Sequence, residues 1–146
     1  MQICFDIDPE TVRSYSQRGS SPAFVIYWEH EGTVFPDRYW SERGLVLLSW
    51  WLSVATSLVN GGGEAAFQFM EADIALIAIA RGSDVHITTR AYDVDWHVSL
   101  TELSEALIDA AFAVSERMRL LDSRDADGFG PLIEDLRHAL QNNAVL

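Results

Sequence analysis

Hydrophobic and polar positions alternate singly at the start of the chain. Ile3, Phe5 and Ile7 are separated by Cys4, Asp6 and Asp8, the period of a half-buried strand, and Pro9 ends it. The Ser-rich stretch Ser14 to Ser21 reads as a loop. Phe24-Val25-Ile26-Tyr27-Trp28 predicts a second strand, and His30-Glu31-Gly32 a hairpin turn into Thr33-Val34-Phe35. Pro36 then breaks the ladder.

From Leu45 to Val59 the pattern changes to a helical one. Ser49, Ser53, Thr56, Ser57 and Asn60 fall on one narrow stripe, and the other positions are Leu, Val, Ala or Trp. Such a helix is enclosed on most sides. Trp50 and Trp51 point about 100° apart, so both are buried only if the helix is sandwiched. Asn60-Gly61 supplies the C-terminal cap. The segment is shorter than the ~20 apolar residues of a bilayer span, which favours a buried helix over a membrane one.

A meander follows. Phe67 to Met70 turns at Glu71–Asp73 into Ile74 to Ala80, Arg81-Gly82-Ser83 turns into Val85 to Arg90, and a loop near Ala91-Tyr92 leads to Val94 to Val98. Matching the apolar faces fixes the register, because a one-residue slip would invert them. Phe67, Phe69, Leu76, Ala78, Val85, Ile87, Val94, Trp96 and Val98 then share a core face. Gln68, Met70, Ile77, Ile79, His86, Thr88, Arg90, Asp95 and His97 lie opposite, and the apolar end of that face invites a cover.

Ser99-Leu100-Thr101-Glu102 is a capping box opening a helix with Leu103, Leu107, Ala110, Ala111, Val114, Met118 and Leu121 inward. Asp122 to Gly130 is a polar connection, and Pro131 starts another helix with Leu132, Ile133, Leu136 and Leu140 inward. The expected fold is a single α+β domain over residues 1–146. Its antiparallel sheet has about five to six strands, in the order hairpin, helix, meander, with a buried central helix and a C-terminal helix pair.

Charge changes the picture most. The chain carries 22 Asp and Glu against 10 basic residues, all of them Arg, for a net charge of -12. This field repels phosphate backbones and anionic membranes and attracts basic surfaces. With its Arg scattered, the chain lacks the basic footprint of a nucleic-acid binder. One cysteine in 146 residues excludes an internal disulfide framework and fits a reducing cytoplasm. The start, Met1-Gln2-Ile3-Cys4-Phe5-Asp6, carries an early acid and no basic region, unlike a secretory signal peptide.

Two constellations carry candidate chemistry. His86, Asp95 and His97 share one strand face in the expected register, with His86 opposite His97, and could converge as metal ligands. A solvated outer face would alternate polar residues in the same way. That reading is the one adopted, with no metal expected, because nothing in the spacing aims the third ligand. Ser123-Arg124-Asp125-Ala126-Asp127-Gly128, with Glu134 beyond, has EF-hand spacing between two helices. Ser123 replaces the first-position Asp, and Gly130-Pro131 replaces the usual aliphatic exit. Calcium binding over 123–134 is therefore expected to be weak or absent. Cys4 has no activating neighbour and reads as an inert core thiol. Gly61-Gly62-Gly63 lacks the Lys-Ser/Thr of a phosphate loop, and no H-E-x-x-H or G-x-S-x-G occurs.

Phe35-Pro36-Asp37-Arg38-Tyr39-Trp40, Val46 to Leu52 with its Trp pair, Phe67-Gln68-Phe69-Met70 and the capped helix together resemble small bacterial α+β proteins without a characterised activity. In size and acidity the chain also resembles immunity proteins of bacterial toxin systems. That resemblance implies a cytoplasmic, non-enzymatic protein, without cofactor, that occludes a basic toxin. Carboxylates at Asp93, Asp95, Asp125 and Asp127 would pair with the toxin's basic residues around an anchor at Tyr39 and Trp40. Two other classes remain in view: a metal-dependent enzyme or Ca-binding module using the His86/Asp95/His97 face or the 123–134 loop, and a scaffold or homo-oligomer using the Met70/Ile77/Ile79 face.

Overall fold

The structure, a computed structural model, describes residues 1–90, 92–121, 123 and 126–144. The fold is α+β, but its strands form two antiparallel sheets of four rather than one sheet of five or six. In the first, β1 (Gln2–Asp6), β2 (Phe24–His30) and β3 (Thr33–Phe35) are neighbours in that order, and β4 (Ser41–Glu42) also pairs with β2. The β2–β3 hairpin turns through Glu31 at φ 50 and Gly32 at φ 80, the left-handed pair that a two-residue turn requires. The second sheet is the meander β5 (Gly63–Gln68), β6 (Ala75–Arg81), β7 (Asp84–Thr88) and β8 (Asp95–Ser99). The division arises at residues 36–44. There the chain leaves β3, pairs with β2 again at Phe24 and Val25 with one more bond from the Ile26 amide to the Trp40 carbonyl, and enters a helix instead of a further ladder.

The first helix, α1 (Pro9–Gln17), occupies part of what the sequence reads as a strand end and a Ser-rich loop. Pro9 stands at the helix start, and the Asp8 carboxylate accepts from the Glu10 amide. That cap was legible in Asp8-Pro9-Glu10. Of the helix residues only Val12 is buried, so the apolar periodicity that betrays a longer helix is missing.

Helix α2 (Gly44–Gly61) is the central helix, packed on α3 (Leu100–Leu120), α4 (Gly130–Ala144) and β5. Leu47, Leu48, Trp51, Leu52, Ala55, Leu58 and Val59 are buried. Trp50 is not: it is 43% exposed and lies with Ser53, Ser57 and Asn60 on the outer stripe. Its helix and sheet neighbours leave one side open, so only one of the two tryptophans is covered. By length and composition alone this helix would cross a membrane, but half of it is buried within the fold. At its start, a Cβ on Gly44 would meet Phe24 ring carbons at 2.2 Å, so the close approach of helix to strand needs glycine. Its cap is Gly62 at φ 63, one residue past the expected position.

One hydrophobic cluster joins both sheets and the helices. Trp28 of the first sheet packs edge-on against Trp51 of α2 (5.3 Å) and Phe67 of the second sheet (5.1 Å). The meander register matches the expected one: Ala78 faces Ile87, Ile87 faces Trp96, and Val85 faces Val98. Phe67, Leu76, Ala78, Val85, Ile87, Trp96 and Val98 are all buried. The first meander strand lies earlier than expected, on Gly63–Gln68, leaving Phe69 and Met70 in the turn. Ser99 caps α3 by accepting from the Glu102 amide. Half of the capping box is replaced, because the Glu102 carboxylate pairs with the Met1 amino group at 2.9 Å.

Candidate functional site

Two features of the second sheet bring chemistry-bearing side chains together. One is its outer face, and the other is the end where β5 leaves and β8 enters.

On the outer face, the ladder sets Glu64, Ile79, His86 and His97 in one row and Ala66, Ile77, Thr88 and Asp95 in the next. Directly opposed side chains on twisted antiparallel strands lie within contact, and diagonal ones within reach of long side chains. The His86 and His97 rings therefore stack, 4.3 Å apart and 5° from parallel. Asp95 reaches across the diagonal: its Oδ1 lies 2.5 Å from His86 Nε2 and 3.4 Å from His97 Nε2. The hydrogen bond from His86, with the charge of both rings behind it, holds the Asp95 carboxyl below the usual carboxylate range. Ile79 is 36% exposed and Met70 37%. Among the described residues, the cover that the apolar positions invite is absent. Two open grooves run beside Ile79. One of about 700 Å³ is bounded by Arg81, Asp84, His86, His97 and Glu102, and one of about 540 Å³ by Glu64, Gln68, Asp73, Ile77 and Arg90.

At the sheet end, three loops are tied together by rings and one buried carboxylate. Phe35 packs edge-on against Phe69 (5.4 Å) and Tyr92 (5.1 Å), and Trp40 against Phe69 (6.2 Å). Glu42 is 1% exposed. Its Oε1 accepts from the Met70 and Glu71 amides at 2.5 and 3.0 Å, and its Oε2 accepts from the Trp40 indole N–H. Residues 39–42, 69–71 and 92 therefore form one unit, and Tyr39 (86% exposed), Met70 and Tyr92 stand out from it. Asp37, Glu71, Asp73 and Asp93 are exposed around them and enter none of the ion pairs among the described residues.

The sequence-derived candidates fall at different places. Tyr39 and Asp93 lie at this end. Trp40 is half-buried and built into it through Glu42 and Phe69, so it supports the loop. Asp95 belongs to the histidine pair. Asp127 is paired with Arg119 at 2.9 Å, in the α3–α4 connection. Asp125, and with it part of the 123–134 loop, lies outside the described residues. Of that loop's other oxygens, the Glu134 carboxylate accepts from Arg137 at 3.3 Å.

Cys4 is not a core thiol. Strand alternation turns it away from Ile3 onto the outer face of the first sheet, half-buried opposite Tyr27 and 3.8 Å from Glu29. Burial, with the Glu29 charge adding to it, pushes its pKa up. Sequence reasoning missed Glu42 and Tyr92. A lone Glu after a loop gives no sign that its partners are backbone amides near position 70.

The fold and these surfaces define a small acidic α+β protein with open rather than enclosed candidate sites. No protein-family model, curated protein or solved structure matches the chain.

Proposed function

We propose that this protein is a cytoplasmic, non-enzymatic binding protein that holds a basic partner protein at the loop end of its meander sheet, in the manner of immunity proteins that occlude toxins. One observation carries the reading. Tyr39, Met70 and Tyr92 project from a cross-braced aromatic base, and Asp37, Glu71, Asp73 and Asp93 are exposed on the same loops. Exposed aromatics on a rigid support lose little freedom on binding, and acidic neighbours steer encounter with a basic surface. The net charge of -12 extends that steering over the whole molecule. Arg38, the basic residue beside Tyr39, is drawn towards Glu29 at 3.6 Å. Arg90 is the nearby cation that a basic partner would have to tolerate.

Affinity capture from the native host, followed by mass spectrometry, identifies the partner. Its association is then timed against wild type and the Glu71→Gln/Asp73→Asn/Asp93→Asn variant. A basic protein whose on-rate falls in the variant supports the proposal. Recovery of only acidic proteins, nucleic acid or a metabolite overturns it. An unchanged on-rate with a basic partner rejects this surface.

A further inference from the structure

We propose that His86, Asp95 and His97 form a binding site for a divalent transition metal of the zinc class, a role that goes beyond partner binding and stands without it. The candidate donors are two imidazole nitrogens and one carboxylate oxygen, all within 4.8 Å of one another. Zinc takes such donors at about 2.0–2.1 Å, which sets tetrahedral ligands about 3.3 Å apart. The His97–Asp95 pair is already at 3.4 Å, and His86–Asp95 at 2.5 Å. Closing the widest pair therefore needs a movement of no more than about 1.5 Å.

The backbone supplies the convergence. Asp95 and His97 are two apart on β8 and so share a face, while His86 is the cross-strand partner of His97. A β-ribbon thus presents all three without a loop to order. In the stack the two ring planes are parallel, so the nitrogen lone pairs do not yet meet. Rotation about the side-chain torsions brings them together. Exposure of His97 (73%) and His86 (43%) leaves room for it. Binding exchanges a face-to-face imidazole pair, a weakly favourable geometry, for two metal–nitrogen bonds. The Asp95 carboxylate supplies an anionic oxygen donor beside the two imidazoles, and the acidic chain raises the local cation concentration. Nitrogen and oxygen donors of this kind suit zinc, copper and nickel over calcium and magnesium. With three protein ligands on an open face, a fourth position is left for water or for a donor from outside.

The test is calorimetric titration of untagged, chelator-treated protein with zinc sulfate at neutral pH, with circular dichroism to check each variant's fold. The expected result is one zinc per chain. Affinity should fall about tenfold or more in each of His86→Ala, His97→Ala and Asp95→Asn, because each deletes one donor. His138→Ala, an exposed histidine on α4, should bind as wild type does. Cobalt(II) in place of zinc should give a visible d–d absorption band that His97→Ala loses. No binding, or binding that survives in the His86→Ala/His97→Ala double variant, overturns the proposal.

Discussion

Removing the Glu42 carboxylate should loosen the whole sheet end, and the structure sets how much. Glu42→Ala strands three donors: the Met70 and Glu71 amides and the Trp40 indole. A buried donor left without an acceptor costs about 1–3 kcal/mol. The two amides lie in a surface turn and regain water, so they sit at the low end. The total is about 3–5 kcal/mol, a large share of the ~5–15 kcal/mol stability of an ordinary domain. Glu42→Gln is the sharper probe. Its remaining oxygen can keep the two loop amides, but its NH₂ then faces the Trp40 N–H, donor against donor, for about 1–3 kcal/mol.

Because that clash exists only when Trp40 is present, the two sites must couple. In a Trp40→Phe background the cost of Glu42→Gln should shrink by about 1–2 kcal/mol. Urea unfolding of the four proteins in the cycle, followed by far-ultraviolet circular dichroism with m held in common, measures this directly. If Glu42→Ala costs under about 1 kcal/mol, or if the cycle closes additively, the carboxylate is not the brace described. The support proposed for Tyr39 and Met70 would then fail with it.

Other outcomes follow from the same contacts. Leu48→Ala, at a fully buried position of α2, should cost about 2–5 kcal/mol, whereas Trp50→Ala should stay within about 1 kcal/mol; denaturant midpoints that reverse this order would place the helix the other way round. Asp95 has its carboxyl pKa lowered by His86, so its contribution is present above the unfolded value of about 3.9 and is lost only as pH falls through the depressed folded value. In an NMR titration His86→Ala should move the Asp95 midpoint up, and an unmoved midpoint would refute that cause. Cys4, with its pKa raised by burial, should alkylate with iodoacetamide more slowly in the folded protein at pH 8 than in urea; equal rates would show an open thiol. Association with a basic partner should slow steeply between low and physiological salt, where screening acts over about 8–10 Å, and a salt-independent on-rate would argue against steering.

How far the fold is legible in the sequence depends on how many residues speak for each element. The meander register came from nine apolar positions that had to share a face, and any slip would have buried His86 and Asp95 instead. The division into two sheets rests on one connection, residues 36–44, where a two-residue strand has no periodicity to read. Helix α1 was hidden because a single buried side chain, Val12, leaves no stripe. The position of Trp50 needed knowledge of how many elements surround α2, and that is a property of tertiary packing rather than of the helix's own pattern.

The two surfaces differ in the same way, and the difference bears on function. The His86/Asp95/His97 cluster is set by register alone, so sequence placed the three residues on one face and lacked only the diagonal reach of Asp95. The loop end is set by contacts distant in sequence: Phe35 with Tyr92, and Glu42 with the amides of Met70 and Glu71. Acidic and aromatic residues in loops are individually unremarkable. They acquire meaning only where buried contacts hold the loops in one arrangement, because a preorganised surface forfeits less entropy on binding than a mobile one. Glu42 is the residue through which that arrangement acts. It touches no solvent and would bind no partner, yet without it Tyr39 and Met70 would stand on unbraced loops. Loss of partner affinity in Glu42→Gln, larger than in a surface variant of equal stability, is therefore what preorganisation predicts.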